Sequence, residues 1–145
     1  MTDHPDIGEE VEILARTVFG EARGETYRGQ LAVAWVVRNR ADRPSWWGKT
    51  VKDVCLKAKQ FSCWNEGDPN LPIITAVTLQ DQRYRSCFRA ALSAYDRSEK
   101  DPTFGATHYF TTARPKLAQT WPPEWAMEMI PLATIGAHEF CAERG

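Results

Sequence analysis

Apolar positions recur at helical spacing over four stretches of the chain. Val11, Leu14, Ala15 and Val18 fall at i, i+3, i+4 and i+7, which predicts a helix from about Ile7 to Arg23 with one apolar stripe. Asp6 followed by Glu9 has the form of a capping box, and Gly24 is the expected stop. A second helix is expected from Tyr27 to Ala41, ended by Pro44. Its centre, Leu31 to Val37, is apolar all round and predicts the buried central helix. A third begins at Thr50, with Asp53 as capping partner and Val51, Val54, Cys55 and Ala58 as its stripe. Gln60 to Asn70 reads as a loop or short strand, closed by Gly67, Pro69 and Pro72. The clearest helical period runs from Gln80 to Arg97, through Tyr84, Cys87, Phe88, Ala91, Leu92 and Tyr95. After Pro102 the pattern shortens. Ala106 to Thr111 reads as a strand, Arg114 to Trp125 as a Pro-rich loop, and Ala133 to Phe140 as a second strand or final turn. The sum is an α+β domain, mainly α-helical, with a small β element.

Composition narrows the function classes. A chain of 145 residues, 43% apolar and 26% charged, has the size and makeup of one globular domain. A net charge of −1 argues against a nucleic-acid-coating protein. The charge is uneven: net −5 over residues 1–25, +6 over 26–97 and −2 over 98–145. The basic middle is either a solvated surface or a region that attracts an anionic polymer. No apolar run reaches the ~20 residues needed to cross a bilayer, and the acidic start lacks the features of a Sec leader. The expectation is a cytosolic protein or one exported by another route. Cys55, Cys63, Cys87 and Cys141 form no C-x-x-C pair, and no histidine lies at zinc-ligand spacing from a cysteine. Free buried thiols are expected, with a Cys55–Cys63 link as the alternative. No metal and no cofactor are expected.

One residue breaks the helical pattern. Glu21 lies three positions after Val18 and seven after Leu14, on the apolar stripe of the first helix. A carboxyl turned toward a core has its pKa raised by desolvation, the state wanted in a general acid. The alternative is a helix end where the stripe runs out into water. Glu25 sits one turn further along. Two carboxylates on one helix face approach a bond from one side, so a retaining-glycosidase pair is rejected. Arg23 and Arg28 are candidate partners for Glu25. Trp35 is expected in the core. Trp64, Trp121 and Trp125 lie in loops, where they either stack on sugar rings or plug the core's edge. His108 and His138 sit in strand-like segments, as structural histidines, as substrate contacts or as groups that orient the acid. Ser62 has no nucleophile elbow, and no phosphate-binding glycine loop is present.

The run Ala15-Arg16-Thr17-Val18-Phe19-Gly20-Glu21-Ala22-Arg23-Gly24-Glu25, with Gly29-Gln30-Leu31-Ala32-Val33-Ala34 and Val37-Arg38-Asn39-Arg40, resembles the signature of the SleB/CwlJ-type cell-wall hydrolases. That family includes spore-cortex-lytic enzymes and many phage endolysins. The likeness continues through Gln60-Phe61-Ser62-Cys63-Trp64, Asp101-Pro102-Thr103, Gly105-Ala106-Thr107-His108-Tyr109-Phe110 and Ala133-Thr134-Ile135-Gly136-Ala137-His138-Glu139-Phe140. It covers nearly the whole chain in order. The resemblance implies a single lysozyme-like domain over residues 1–145 that acts on the glycan strands of peptidoglycan. It implies Glu21 as the catalytic acid. Glu25, Gln60, Phe61, Ser62, Trp64, His108 and Tyr109 are the expected substrate contacts. The expected chemistry is that of a lytic transglycosylase. A muramidase, with Glu66 or Asp68 positioning water, is the alternative, and a non-catalytic glycan-binding or virion module is the rival from another class. Zinc ligands or a cysteine–histidine pair for an amidase or peptidase are not visible. A monomer without nucleic-acid partner or membrane insertion is expected. The setting implied is a phage endolysin, held in the host cytoplasm until a holin releases it toward the wall.

Overall fold

Five α-helices and one three-stranded sheet make up the computed structural model, which describes residues 6–116, 118 and 120–144. The N-terminal residues 1–5, on which the leader argument rests, and positions 117 and 119 of the expected 114–125 loop lie outside the described residues. Helix α1, Ile7–Ala22, begins as its capping residue dictates: Asp6 Oδ1 accepts from Glu9 N at 3.0 Å. Helix α2, Tyr27–Asp42, is buried along its apolar centre from Leu31 to Val37, as the absence of a polar face requires. Short helix α3, Val51–Leu56, is capped by Thr50, whose hydroxyl accepts from Asp53 N. The buried Glu10 carboxylate joins three elements, accepting from Lys52 N at 2.6 Å and from the Tyr95 hydroxyl at 3.2 Å.

A single 3-10 turn, Ser62–Trp64, is followed by helix α4, Leu71–Ala76. Helix α4 falls where Pro72 was expected to close a loop. Proline is tolerated in the first turn, where its missing N–H has no partner to lose. Arg16 of α1 fixes the far end of α4 by donating to Ile74 O at 2.7 Å and to Val77 O at 2.9 Å. Helix α5, Gln82–Tyr95, packs its apolar face against both α1 and α2 and closes the core.

The sheet has the order β1-β3-β2, all antiparallel, from β1 (His108–Thr111), β2 (Ile130–Ile135) and β3 (His138–Ala142). The segment expected as a second strand or final turn is therefore a hairpin. Gly136 makes it possible: its φ of +57° lies in the left-handed region, and a Cβ there would stand 2.3 Å from Glu25 Oε1. A second 3-10 helix, Glu124–Glu128, lies within and beyond the end of the expected loop. All four cysteines are free and buried, and burial pushes the Cys55, Cys63 and Cys87 thiols up to about 12. They are protonated and unreactive at neutral pH.

Asp101 pins the sheet to α2. Its Oδ2 accepts from Asn39 Nδ2 and Gly105 N, both at 2.8 Å, and its Oδ1 from Thr103 N and the Thr103 hydroxyl. Asn39 Nδ2 also donates to Ala106 O at 2.9 Å, immediately before β1. Asp101→Ala orphans these donors and is expected to lower stability by about 2–4 kcal/mol, read by urea denaturation.

Candidate active site

The stripe argument for Glu21 holds in three dimensions. Leu14 and Val18 are fully buried, and Glu21 leaves the last turn of α1 on the same side. Strand β1 supplies its partner: the Tyr109 hydroxyl donates to Glu21 Oε1 at 2.5 Å. These two residues line an open cleft of about 450 Å³ with Arg40, Trp46, Ala58, Gln60, Phe61, His108 and Trp125 among its walls. Gly20 lets the Cys63 turn approach this end of α1, since a Cβ at Gly20 would lie 2.8 Å from Cys63 Sγ.

Desolvation is the largest influence on the Glu21 carboxyl and raises it above its ordinary 4.5. The bond from Tyr109 opposes the rise, the charge of Asp68 adds to it, and the Arg40 charge opposes it again. Burial first, and the charge of Glu21 second, hold the Tyr109 phenol well above 10. It is a neutral, permanent donor. Burial and then the Arg40 charge lower His108, so its ring is neutral at neutral pH; its Nδ1 pairs with the Thr107 hydroxyl at 3.0 Å.

An aromatic row underlies the cleft. Ring centroids run Trp46 to Trp47 at 5.6 Å, Trp47 to His108 at 5.8 Å, and His108 to Trp125 at 5.6 Å. The two ends of the row are exposed, Trp46 by 61% and Trp125 by 46%. Each also borders a neighbouring depression: Trp46 with Lys49, Asp53 and Lys57, and Trp125 with Met127, Glu128 and Glu143. A further depression thus adjoins the cleft at each end of the row.

The structure brings together Glu21, Gln60, Phe61, His108 and Tyr109, as expected from the sequence. Gln60 is oriented by its Nε2, which donates to Val54 O at 2.6 Å, and its Oε1 is buried without a donor among the described residues. Ser62 and Trp64 are not among the residues lining the cleft. Ser62 is exposed on the 3-10 turn, and the Trp64 indole donates to Thr17 Oγ1 at 2.9 Å, which fixes it as a plug at the core's edge. Trp121 donates to Thr111 O and packs on Phe110. Glu25 does not continue the face of α1, because that helix ends at Ala22. Its Oε1 accepts from Ala137 N at 3.0 Å and lies 3.9 Å from His138 Nδ1, so it anchors the β2–β3 turn outside the cleft. Neither expected arginine holds it: Arg23 donates to Phe19 O and Asn70 Oδ1, and Arg28 is exposed. His138 is buried with its ring edge 5.0 Å from Tyr109, behind the cleft wall.

Sequence reasoning missed Arg40 and Trp46. Arg40 follows a segment that is apolar all round, so no stripe sets it apart: Arg38 follows Leu31, Ala34 and Trp35 at the same seven-, four- and three-residue intervals. Trp46 likewise carries no periodic signal.

A mainly helical domain with one buried acid in an aromatic-walled groove belongs to the lysozyme-like class of folds. The chain belongs to the cell wall hydrolase family, whose model matches residues 24–141. Its curated relatives include a spore cortex-lytic enzyme of Halalkalibacterium halodurans, 32% identical over 132 residues, which cover 91% of this chain and 34% of that protein. A spore cortex-lytic enzyme of Bacillus subtilis is likewise 32% identical over 133 residues, covering 91% of this chain and 37% of the relative. The chain thus spans little more than a third of these relatives' length. Among solved structures, the catalytic domain of Bacillus cereus SleB superposes with a TM-score of 0.71 at 27% identity, covering 97% of this chain and 94% of that one. The catalytic domain of the germination-specific lytic transglycosylase SleB from Bacillus anthracis does so with a TM-score of 0.68 at 27% identity, covering 97% and 99%.

The raised Glu21 carboxyl has a stability consequence. A folded-state pKa above the unfolded value contributes stability that is complete below the unfolded pKa and lost as pH rises through the folded one. Glu21→Gln, neutral at every pH, is therefore expected to melt above the wild type at pH 7. The gap should close below pH 4.5, the ordinary value of the group. Thermal melts across this pH range check it; an unchanged gap would contradict the raised carboxyl.

Proposed function

We propose that the protein cleaves the β-1,4 bond between N-acetylmuramic acid and N-acetylglucosamine in peptidoglycan, as a lytic transglycosylase. The observation that carries this reading is Glu21, desolvated at the floor of an aromatic groove with Tyr109 donating to its Oε1. The bond to Oε1 leaves Oε2 to hold the acidic proton. That proton passes to the glycosidic oxygen as the bond to the muramoyl anomeric carbon breaks. Ionised Glu21 is then stabilised by the Tyr109 hydroxyl, because a donor bonds a carboxylate more strongly than a carboxylic acid. Glu21 next takes the proton of the muramoyl C6 hydroxyl, whose oxygen closes on the anomeric carbon as a 1,6-anhydro ring. The nucleophile is already part of the substrate, which favours the ring closure through proximity.

Among the described residues lining the cleft, Glu21 is the one carboxylate. This supports chemistry that uses a single acid. The muramidase reading has one observation on its side: Asp68 is near enough to raise Glu21 through its charge. However, neither Asp68 nor Glu66 lines the cleft, and Asp68 Oδ1 accepts from Asn70 N at 2.8 Å. Exposed Trp46 and Trp125 suit successive rings of a long glycan. The chemistry is the same in host lysis, the setting the endolysin resemblance implies, and in cortex breakdown, the role in the relatives' names.

Digestion of purified sacculi with mass spectrometry of the products tests the reading. The expected products end in 1,6-anhydro-muramic acid, one water lighter than reducing ends. Glu21→Gln should lower the rate at least about 10²-fold, the scale of general acid catalysis. Reducing ends would establish a muramidase instead. Full activity of the variant would remove Glu21 from the chemistry, and wild-type binding without cleavage would mean a glycan-binding module.

A further inference from the structure

Arg40 is a buried charge, and the one carboxylate that acts on it among the described residues is Glu21, by its charge and without ion-pair contact. Its residue surface is 8% exposed, and no ion pair to it is present among the described residues. Burying a cation without a counter-charge in contact is costly, and a guanidinium does not escape by losing its proton. What holds it is one hydrogen bond and two rings. Nε donates to Thr107 O at 2.7 Å, and the guanidinium carbon lies 5.5 Å from the Trp47 ring centroid and 5.6 Å from that of Phe61. The stem and plane of the group are therefore fixed. The two terminal nitrogens make no hydrogen bond to the described residues. They are also not among the buried atoms left unpartnered, so solvent reaches them, and Arg40 lines the same cleft as Glu21. A rigid, planar, two-pronged donor thus opens onto the groove with its donors unused.

A guanidinium fork matches a planar acyl oxygen pair or a single carbonyl oxygen. The two sugars of peptidoglycan differ in one substituent, the 3-O-lactyl group of the muramoyl residue, and that group ends in such an acyl carbon. We propose that Arg40 is a specificity-determining residue that receives the lactyl acyl oxygen through its terminal nitrogens. The muramoyl ring is thereby set in the subsite beside Glu21, and a glycan without lactyl groups is disfavoured. The proposal rests on the peptidoglycan-cleaving reading and adds to it the recognition of one sugar over the other.

Binding is measured in the Glu21→Gln protein, which has no carboxyl for Arg40 to tune, so a change in affinity cannot arise through the acid. The probes are peptide-free glycan strands, which carry free lactyl carboxylates, and chitin oligosaccharides of matched length, which carry none. Calorimetry at about 0.15 M salt limits unspecific attraction. The peptide-free strand should bind about 10–100-fold more tightly, the scale of a charge-assisted hydrogen bond. Adding Arg40→Gln should remove this preference. Arg40→Lys keeps the charge but not the fork, and should reduce the preference at least about threefold; it decides the matter alone if the glutamine variant does not fold. A preference undiminished in Arg40→Lys, or no preference in the parent, overturns the proposal. Wild-type failure to cleave sacculi would overturn the underlying reading instead, so the two failures are told apart.

Discussion

A carboxyl on the core-facing stripe of a helix must be given a donor or lose its charge, and the architecture around Glu21 follows from that constraint. The donor comes from a distant part of the chain, the Tyr109 hydroxyl of β1. Strand β1 can deliver it only if its start is held against α2, which Asn39 and Asp101 do through Ala106 O and the 103–105 turn. The hairpin behind β1 is held in turn by Glu25, whose carboxylate accepts from Ala137 N. Two glutamates four residues apart thus divide the work: one is desolvated at the cleft, where the proposed chemistry needs it, and the other anchors the sheet that supplies its partner.

The electrostatics of the groove are a balance of opposed influences. Desolvation and Asp68 favour the protonated Glu21, while Tyr109 and Arg40 favour the carboxylate. For the acid-and-base role proposed above such a balance is useful, because neither state is held too firmly. Arg40 remains charged throughout, pinned between Trp47 and Phe61. Trp47, within the aromatic row beneath the cleft, shares in holding that cation, while the ends of the row, Trp46 and Trp125, stay exposed.

Much of this was legible along the chain, for local reasons. The capping residues Asp6 and Thr50 set helix starts, and the all-apolar centre of α2 required burial. Glu21 stood out because helical period is a geometric fact of the sequence. Helix α4 was not legible, because Pro72 reads as a breaker until its place in the first turn is known. The hairpin was missed because its turn depends on Gly136 adopting a positive φ beneath the Glu25 carboxylate. Trp64 was placed on the substrate side, yet its indole bonds Thr17 across 47 positions. A loop tryptophan carries no sign of which way it will turn.

Periodicity and capping are properties of neighbours a few residues apart, so the sequence by itself determined where the main helices run and that Glu21 lies on a buried stripe. No such period singles out Arg40, because the segment before it is apolar all round. Tertiary structure alone decided what those charges meet. The Tyr109–Glu21 bond spans 88 positions, and the contact of Glu25 with the hairpin turn spans 112. Contacts of that separation depend on how all the intervening elements pack, and no local pattern encodes them.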